Sequence, residues 1–243
     1  SQELINKIQY RDAAGHPKLG SANYRLADHD ASADIGVYSF CMCPGGYVIS
    51  SGTESGGIVT NGMSNYARNS PYANAAIVVS IDHAKHFGVK IFGGLDFRNA
   101  LEQKAYQASL EKGTGREFPA QTVSDFMEGK LGAVLKGSSP SGSVATRLDT
   151  LLPPDLVKQL RRSLVTFDHK MPGFISKQAQ LYGVESRTSC PVRVIRNEET
   201  LESISHRHLY PTGEGAGYAG GITSAAVDGV RVAEAICEKI KLL

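Results

Sequence analysis

At 243 residues, 41% apolar and 21% charged, the chain is long enough to bury a core and is ordinary in composition for a globular protein. A net charge of +2 excludes the basic field that grips a nucleic-acid backbone, and Arg161-Arg162 and the Lys85–Lys90 stretch are short basic patches of the kind found on a solvated surface. No run of 18 apolar residues is present, which excludes a helical membrane span. Cys41, Cys43, Cys190 and Cys237 are too few for a disulfide framework and predict reduced thiols in a cytoplasmic setting. The chain opens on Ser1 with no signal peptide, which predicts a portion of a longer polypeptide.

In chain order, Leu4, Ile5 and Ile8 share a helical face, so residues 2–9 are predicted helical. Tyr38, Phe40 and Met42 alternate with Ser39, Cys41 and Cys43 in a strand pattern. Pro44-Gly45-Gly46 then supplies a turn, and Tyr47-Val48-Ile49 reads as the return strand. Gly56–Thr60 and Ala75–Ile81 read as further strands. Phe97, Leu101, Ala105 and Ala108 predict a helix stopped near Gly113. Thr122 and Asp125 stand at capping-box spacing ahead of Phe126, with Gly129 closing the helix. Pro154 suits the first turn of a helix carrying Leu156, Val157 and Leu160. The Gly/Ser/Pro-rich stretch 136–143 is a connector. Val184–Thr188, Val192–Arg196 and Leu201–Tyr210 read as extended runs, and a helix is predicted over about 222–240.

Gly215, Gly217 and Gly220 form a G-x-G-x-x-G between the last extended run and that helix. Glycines permit a tight turn and close approach of a phosphate or ring, and the helix N-terminus favours an anion. A complete dinucleotide fold requires another strand beyond the helix, yet only 21 residues follow Ile222. The turn therefore either closes a nucleotide site built elsewhere or is a close strand–helix connection. On the helix, Ile222, Ala226, Gly229, Val230, Ala233, Ile236 and Ile240 form an apolar stripe, with Asp228, Arg231, Glu234, Glu238 and Lys241 mainly away from it. The small residues of the stripe suit close packing on a sheet lying largely outside this chain.

The segment Tyr210–Ile236, together with Tyr38-Ser-Phe-Cys-Met-Cys-Pro-Gly-Gly-Tyr-Val48, Thr60-Asn-Gly-Met-Ser64, Arg68 and Gly183-Val-Glu-Ser-Arg-Thr-Ser-Cys-Pro-Val-Arg193, resembles a bacterial family of uncharacterised FAD-dependent dehydrogenases, NAD(P)/FAD-dependent oxidoreductases. The resemblance implies a flavoprotein in which a missing N-terminal part of the same polypeptide holds the FAD pyrophosphate and this chain completes the site. Gly213, Glu214 and Gly215 would then face the ribityl-phosphate region. Gly217 belongs to the same turn, and Gly220, Gly221 and Ile222 would sit at the helix start under the pyrimidine edge, where the partial positive charge stabilises a reduced flavin. NAD(P) is the co-substrate type implied, acting with a small-molecule substrate.

Other constellations carry less. Cys41 and Cys43 are two apart on one strand face, with Cα atoms about 6.5–7 Å apart, past the comfortable reach of a disulfide. They read as an inert packed pair or, at Cys43, as a catalytic or flavin-side thiol. Arg187 and Arg193 flank Cys190-Pro191 and fall on one face of an extended run, suited to clamp a carboxylate or phosphate or to form surface ion pairs. The pairs His83/His86 and His206/His208 lack the further partners of a metal site, so no metal is expected. No G-x-S-x-G is present to support a hydrolase.

The expected architecture is α+β. Residues 1–182 form a cap or substrate domain, with a mostly antiparallel sheet region over 34–95 and helices over 96–182. Residues 183–243 supply a strand–glycine turn–helix piece of an FAD-binding domain. The purified chain is expected to fold without tightly bound FAD and to associate with itself through the helix stripe, with no nucleic-acid or membrane partner. A non-catalytic binding or scaffold module is the alternative.

Overall fold

Ser1 begins the structure as a helix cap, its hydroxyl accepting from the Leu4 N–H, and α1 (Gln2–Tyr10) follows, ending in a short 3-10 turn over Arg11–Ala13. The computed structural model describes residues 1–176 and 178–241. These fall into two compact units, one of Ser1–Ile81 and Asn99–Ser186, the other of Asp82–Arg98 and Arg187–Leu243.

The first unit carries three small sheets, so the architecture is mixed α+β. β1 (Ala27–Asp30), β2 (Ile35–Cys43) and β5 (Asn74–Val79) form an antiparallel sheet in the order β1-β2-β5. β3 (Gly46–Ser50) and β4 (Thr60–Ser64) form a separate antiparallel pair. The expected hairpin across Pro44-Gly45-Gly46 is therefore corrected: the chain turns there, but β3 pairs with β4 and β2 with β1 and β5. Gly45, at φ +48, has no room for a side chain, since a Cβ would strike the Arg68 carbonyl. The strand expected over 56–60 forms only from Thr60 onward.

α3 (Gly93–Lys112) runs on to the expected stop. β6 (Phe118–Thr122) leads into α4 (Val123–Glu128), where the Thr122 hydroxyl accepts from the Asp125 N–H and Gly129 closes the helix in the left-handed region, as its spacing required. The stretch expected to carry helices over 96–182 also contains a third sheet. β7 (Ser143–Ala145) runs parallel to β6, and β8 (Gln180–Tyr182), which follows α6, pairs with it antiparallel. These strands are three to five residues long, too short for alternation to show.

α5 (Leu148–Leu151) and α6 (Pro154–Lys170) follow β7, with Pro154 in the first turn of α6. α6 packs on the β1-β2-β5 sheet, and its Leu156, Leu164 and Phe167 are buried. Arg161 and Arg162 are not a simply solvated patch. Arg161 donates to the Phe126 carbonyl and to Asp149, whose side chain is only 4% exposed, and Arg162 pairs with Asp28 at 2.9 Å.

In the second unit, α2 (His83–Phe87) is a short helix capped by Asp82. The strands expected over 184–188, 192–196 and 201–210 do not form; one isolated bridge, Arg196 to Ser203, is the sheet pairing among the described residues of that region. A strand requires a neighbour to satisfy its backbone groups, and these runs have no regular one here. α7 (Ile222–Lys241) matches the expected helix closely.

Candidate functional site

Two constellations gather the residues singled out from sequence, one in each unit. In the first, the turn after β2 is held from several sides. The Gly45 N–H donates to Gln2 Oε1 at 2.7 Å, the Ser64 hydroxyl donates to the Pro44 carbonyl at 2.7 Å, and the Gly46 N–H donates to the Tyr72 carbonyl at 2.8 Å. Gly62 of β4 lies so close to Asn74 and Cys43 that a Cβ there would stand 2.2 Å from Asn74 Oδ1 and 3.1 Å from Cys43 Sγ. The Thr60 N–H donates to the Val184 carbonyl at 2.9 Å, which ties the motif block at 60–64 to the one beginning at 183.

The two cysteines do not share a plain strand face. The β2 register slips between Phe40 and Cys43, and Cys41 adopts φ 45, so a bulge breaks the alternation. Cys41 is exposed, and the half-buried Cys43 thiol donates to the Cys41 carbonyl at 3.3 Å. Burial pushes the Cys43 thiol up, which keeps it protonated and weakly nucleophilic at neutral pH.

In the second unit the glycine turn is a closed paperclip. The Tyr218 N–H donates to the Gly213 carbonyl and the Gly217 N–H to the Glu214 carbonyl, both at 2.9 Å, with Gly217 at φ +82. A Cβ on Gly217 would lie 2.4 Å from the Val192 carbonyl, and Gly213 also sits at positive φ, +68. These two positions require glycine for the chain's own geometry. Gly215 does not: nothing lies within 4 Å of a Cβ placed there. At Gly220 the nearest atom would be the Thr188 carbonyl oxygen at 3.4 Å, and at Gly221 it would be the Ser224 hydroxyl at 3.5 Å. The turn thus leaves open space at Gly215, while at Gly220 and Gly221 a Cβ would meet ordinary contacts just ahead of the N-terminus of a 20-residue helix.

A buried ion pair fixes this turn to α7. Arg196 Nη2 donates to Asp228 Oδ1 at 2.6 Å and Nη1 to Asp228 Oδ2 at 3.0 Å, with both side chains under 10% exposed. Asp228 also accepts the Gly213 N–H at 2.9 Å, and Arg196 Nη1 donates to the Pro211 carbonyl at 2.7 Å. The Arg196 guanidinium lies 3.7 Å from the centre of the Tyr218 ring, whose hydroxyl donates to the Val194 carbonyl and accepts the Arg196 N–H. Arg196 beside Asp228 holds that carboxyl below the usual carboxylate range, with the Gly213 N–H adding to the effect.

Arg193 donates to the Gly217 carbonyl at 3.0 Å and its guanidinium lies 5.0 Å from the Tyr218 ring centre, so it braces the turn. Arg187 lies outside any strand, so strand alternation no longer places it on one face with Arg193. Asp228 escaped the sequence reading because the apolar stripe was placed about a third of a turn from the face that is buried. Asp228 and Val232 are buried, whereas Ile222 is 85%, Val230 58% and Ile240 63% exposed. A signal was available: Asp228 stands in register with Ala225, Val232 and Ala235 on one helical face.

Among the described residues no cluster of three or more His, Cys, Asp or Glu is arranged to hold a metal, and no helix is long and apolar enough to cross a membrane. A groove of about 850 Å³ in the first unit, bordered by Lys104, Glu111 and Arg147, includes none of the candidate site residues.

Over 244 residues the chain is 44% identical to an uncharacterized protein of Clostridium beijerinckii. That alignment takes in 99% of this chain and 45% of the relative, so the chain spans about half the relative's length. Residues 1–188 match the family model described as FAD-dependent protein, C-terminal domain-like. With most of its length inside that match, the chain belongs to the FAD-dependent protein, C-terminal domain-like family.

Proposed function

We propose that the chain is the C-terminal part of an FAD-dependent oxidoreductase of NAD(P)-using dehydrogenase type, working in the cytoplasm. Residues 1–182 act as the cap or substrate portion, and residues 183–243 complete the flavin site begun by an N-terminal part of the same polypeptide. The observation that carries this reading is the open space at Gly215, in the glycine turn that precedes α7. Gly215 adopts an ordinary φ and has empty space where a side chain would go, so neither its backbone nor this chain's packing requires glycine. Close approach of another group accounts for it, and these residues fit a flavin.

In this reading Gly213, Glu214 and Gly215 meet the ribityl-phosphate portion, while Gly220, Gly221 and Ile222 offer helix-start N–H groups to the pyrimidine edge. The bound flavin would supply hydride transfer; the residues here hold and orient it. Arg187 is a candidate for substrate anion recognition, and Cys43 for the substrate side of the cap. The outward apolar face of α7 would dock on the N-terminal part, with self-association as the fallback of the chain alone.

The test is an absorbance spectrum of the full-length protein and of this 243-residue chain. A stoichiometric flavin band in the former, bleached anaerobically by NADH or NADPH, and none in the latter is the expected result. A colourless full-length protein would instead support a scaffold module, and a fully flavinylated short chain would refute the completing role.

A further inference from the structure

We infer that the buried Arg196–Asp228 pair is a positioning clamp that holds the glycine turn in its ligand-receiving shape, an inference that rests on the flavin reading above. The clamp grips one short peptide from both sides. Arg196 takes the Pro211 carbonyl and Asp228 takes the Gly213 N–H, so residues 211–213 are fixed immediately before the turn. Asp228 belongs to the second turn of α7, so the same carboxylate ties the glycine loop to the helix whose N-terminus the loop feeds. Tyr218, at the far end of the paperclip, covers the guanidinium face and bonds the backbone on either side of Ile195. Neither clamp residue borders the open surface at Gly215, so its effect on a ligand is exerted through the shape of the loop.

The physical logic is pre-organisation. A loop held rigid in its bound shape loses less conformational freedom on binding than one that must be ordered at that moment. A bidentate, buried Arg–Asp pair is directional enough to specify that shape, and the alternative of a simple surface ion pair is ruled out by its burial.

The experiment uses the full-length protein and two readouts, the dissociation constant for FAD and hydrogen exchange at the amides of 213–218. Asp228→Asn is expected to weaken FAD binding at least tenfold and to speed exchange at Gly213, Gly217 and Tyr218 by a similar factor. Asp228→Glu, which keeps the charge, should recover part of both. Should Asp228→Asn not fold, the double variant Arg196→Met/Asp228→Leu removes both charges without stranding one and is expected to show the same loosening. Exchange and affinity both within twofold of wild type would overturn the clamp, and faster exchange with unchanged affinity would overturn its role toward the ligand. A wild-type protein without flavin would remove the flavin reading alone, leaving exchange at the turn to decide the clamp.

Discussion

The two units are held together internally by different means. Among the described residues, the first contains 22 of the 25 buried apolar ones, among them Phe118, Phe126 and Phe167, and so has a core of its own. Of the described residues the second contains three, Leu201, Ala216 and Val232, but 11 of the 18 exposed large apolar side chains, although it is the smaller unit. Its order rests on the buried Arg196–Asp228 pair, the paperclip turn and backbone hydrogen bonds. Burial of apolar surface is the main source of folding stability, so the first unit is the part equipped to stand by itself. The second exposes apolar side chains along α7, at Ile222, Val227, Val230 and Ile240.

The largest test of that contrast is Phe126→Ala. This ring is fully buried in the first unit, so its removal should cost about 3–5 kcal/mol in chemical denaturation followed by circular dichroism. A loss below 1 kcal/mol would mean that the first unit's core does not carry the stability. The acid limb gives a second test. Arg147 foremost, with Gln121 and Arg161, holds the Asp149 carboxyl below the usual range. A depressed carboxyl contributes stability above its unfolded pKa of about 3.9, and loses it as pH falls through the folded value. Asp149→Asn should cost about 2 kcal/mol at pH 7, less than a fully buried pair because Arg147 and Arg161 are about one-third exposed and rehydrate. The penalty should shrink as pH drops below about 4; a pH-independent loss would point to packing instead of charge.

Within the second unit, Gly217→Ala forces a side chain into a left-handed conformation and onto the Val192 carbonyl. It should cost about 1–3 kcal/mol locally, read as faster exchange over 213–218, whereas Gly215→Ala should be nearly silent in the chain alone. The smallest effect is the most discriminating. Val230→Asp, at a position 58% exposed, should shift the stability of the 243-residue chain by no more than about 0.5 kcal/mol. If the outward face of α7 docks on the rest of the polypeptide, the same change should release flavin from the full-length protein. Equal indifference in both would leave that face a solvent surface.

Helices were the legible part of the fold. α1, α3, α4, α6 and α7 follow from apolar spacing, from the Thr122–Asp125 cap and from Pro154 at a helix start, all of which act within one or two turns of chain. Of the candidate site, the glycine positions and their place before α7 could be read directly, because positive φ and missing side chains are local requirements. The division of labour among those glycines could not: Gly217 is required because Val192 lies against it, and Gly215 is open because nothing does.

Strands depend on distant partners, and there the amino-acid pattern alone was insufficient. It supplied the alternation of residues 38–43 but not the pairing of β2 with β5, nor the bulge at Cys41 that breaks the alternation. It also supplied extended runs at 184–188 and 192–196 that the folded chain leaves without ladders. Arg196 and Asp228 stand 32 residues apart, and each alone resembles an ordinary surface charge. Only the tertiary structure brings them together out of water, because a buried charge is tolerated just where an opposite charge with matching geometry closes on it.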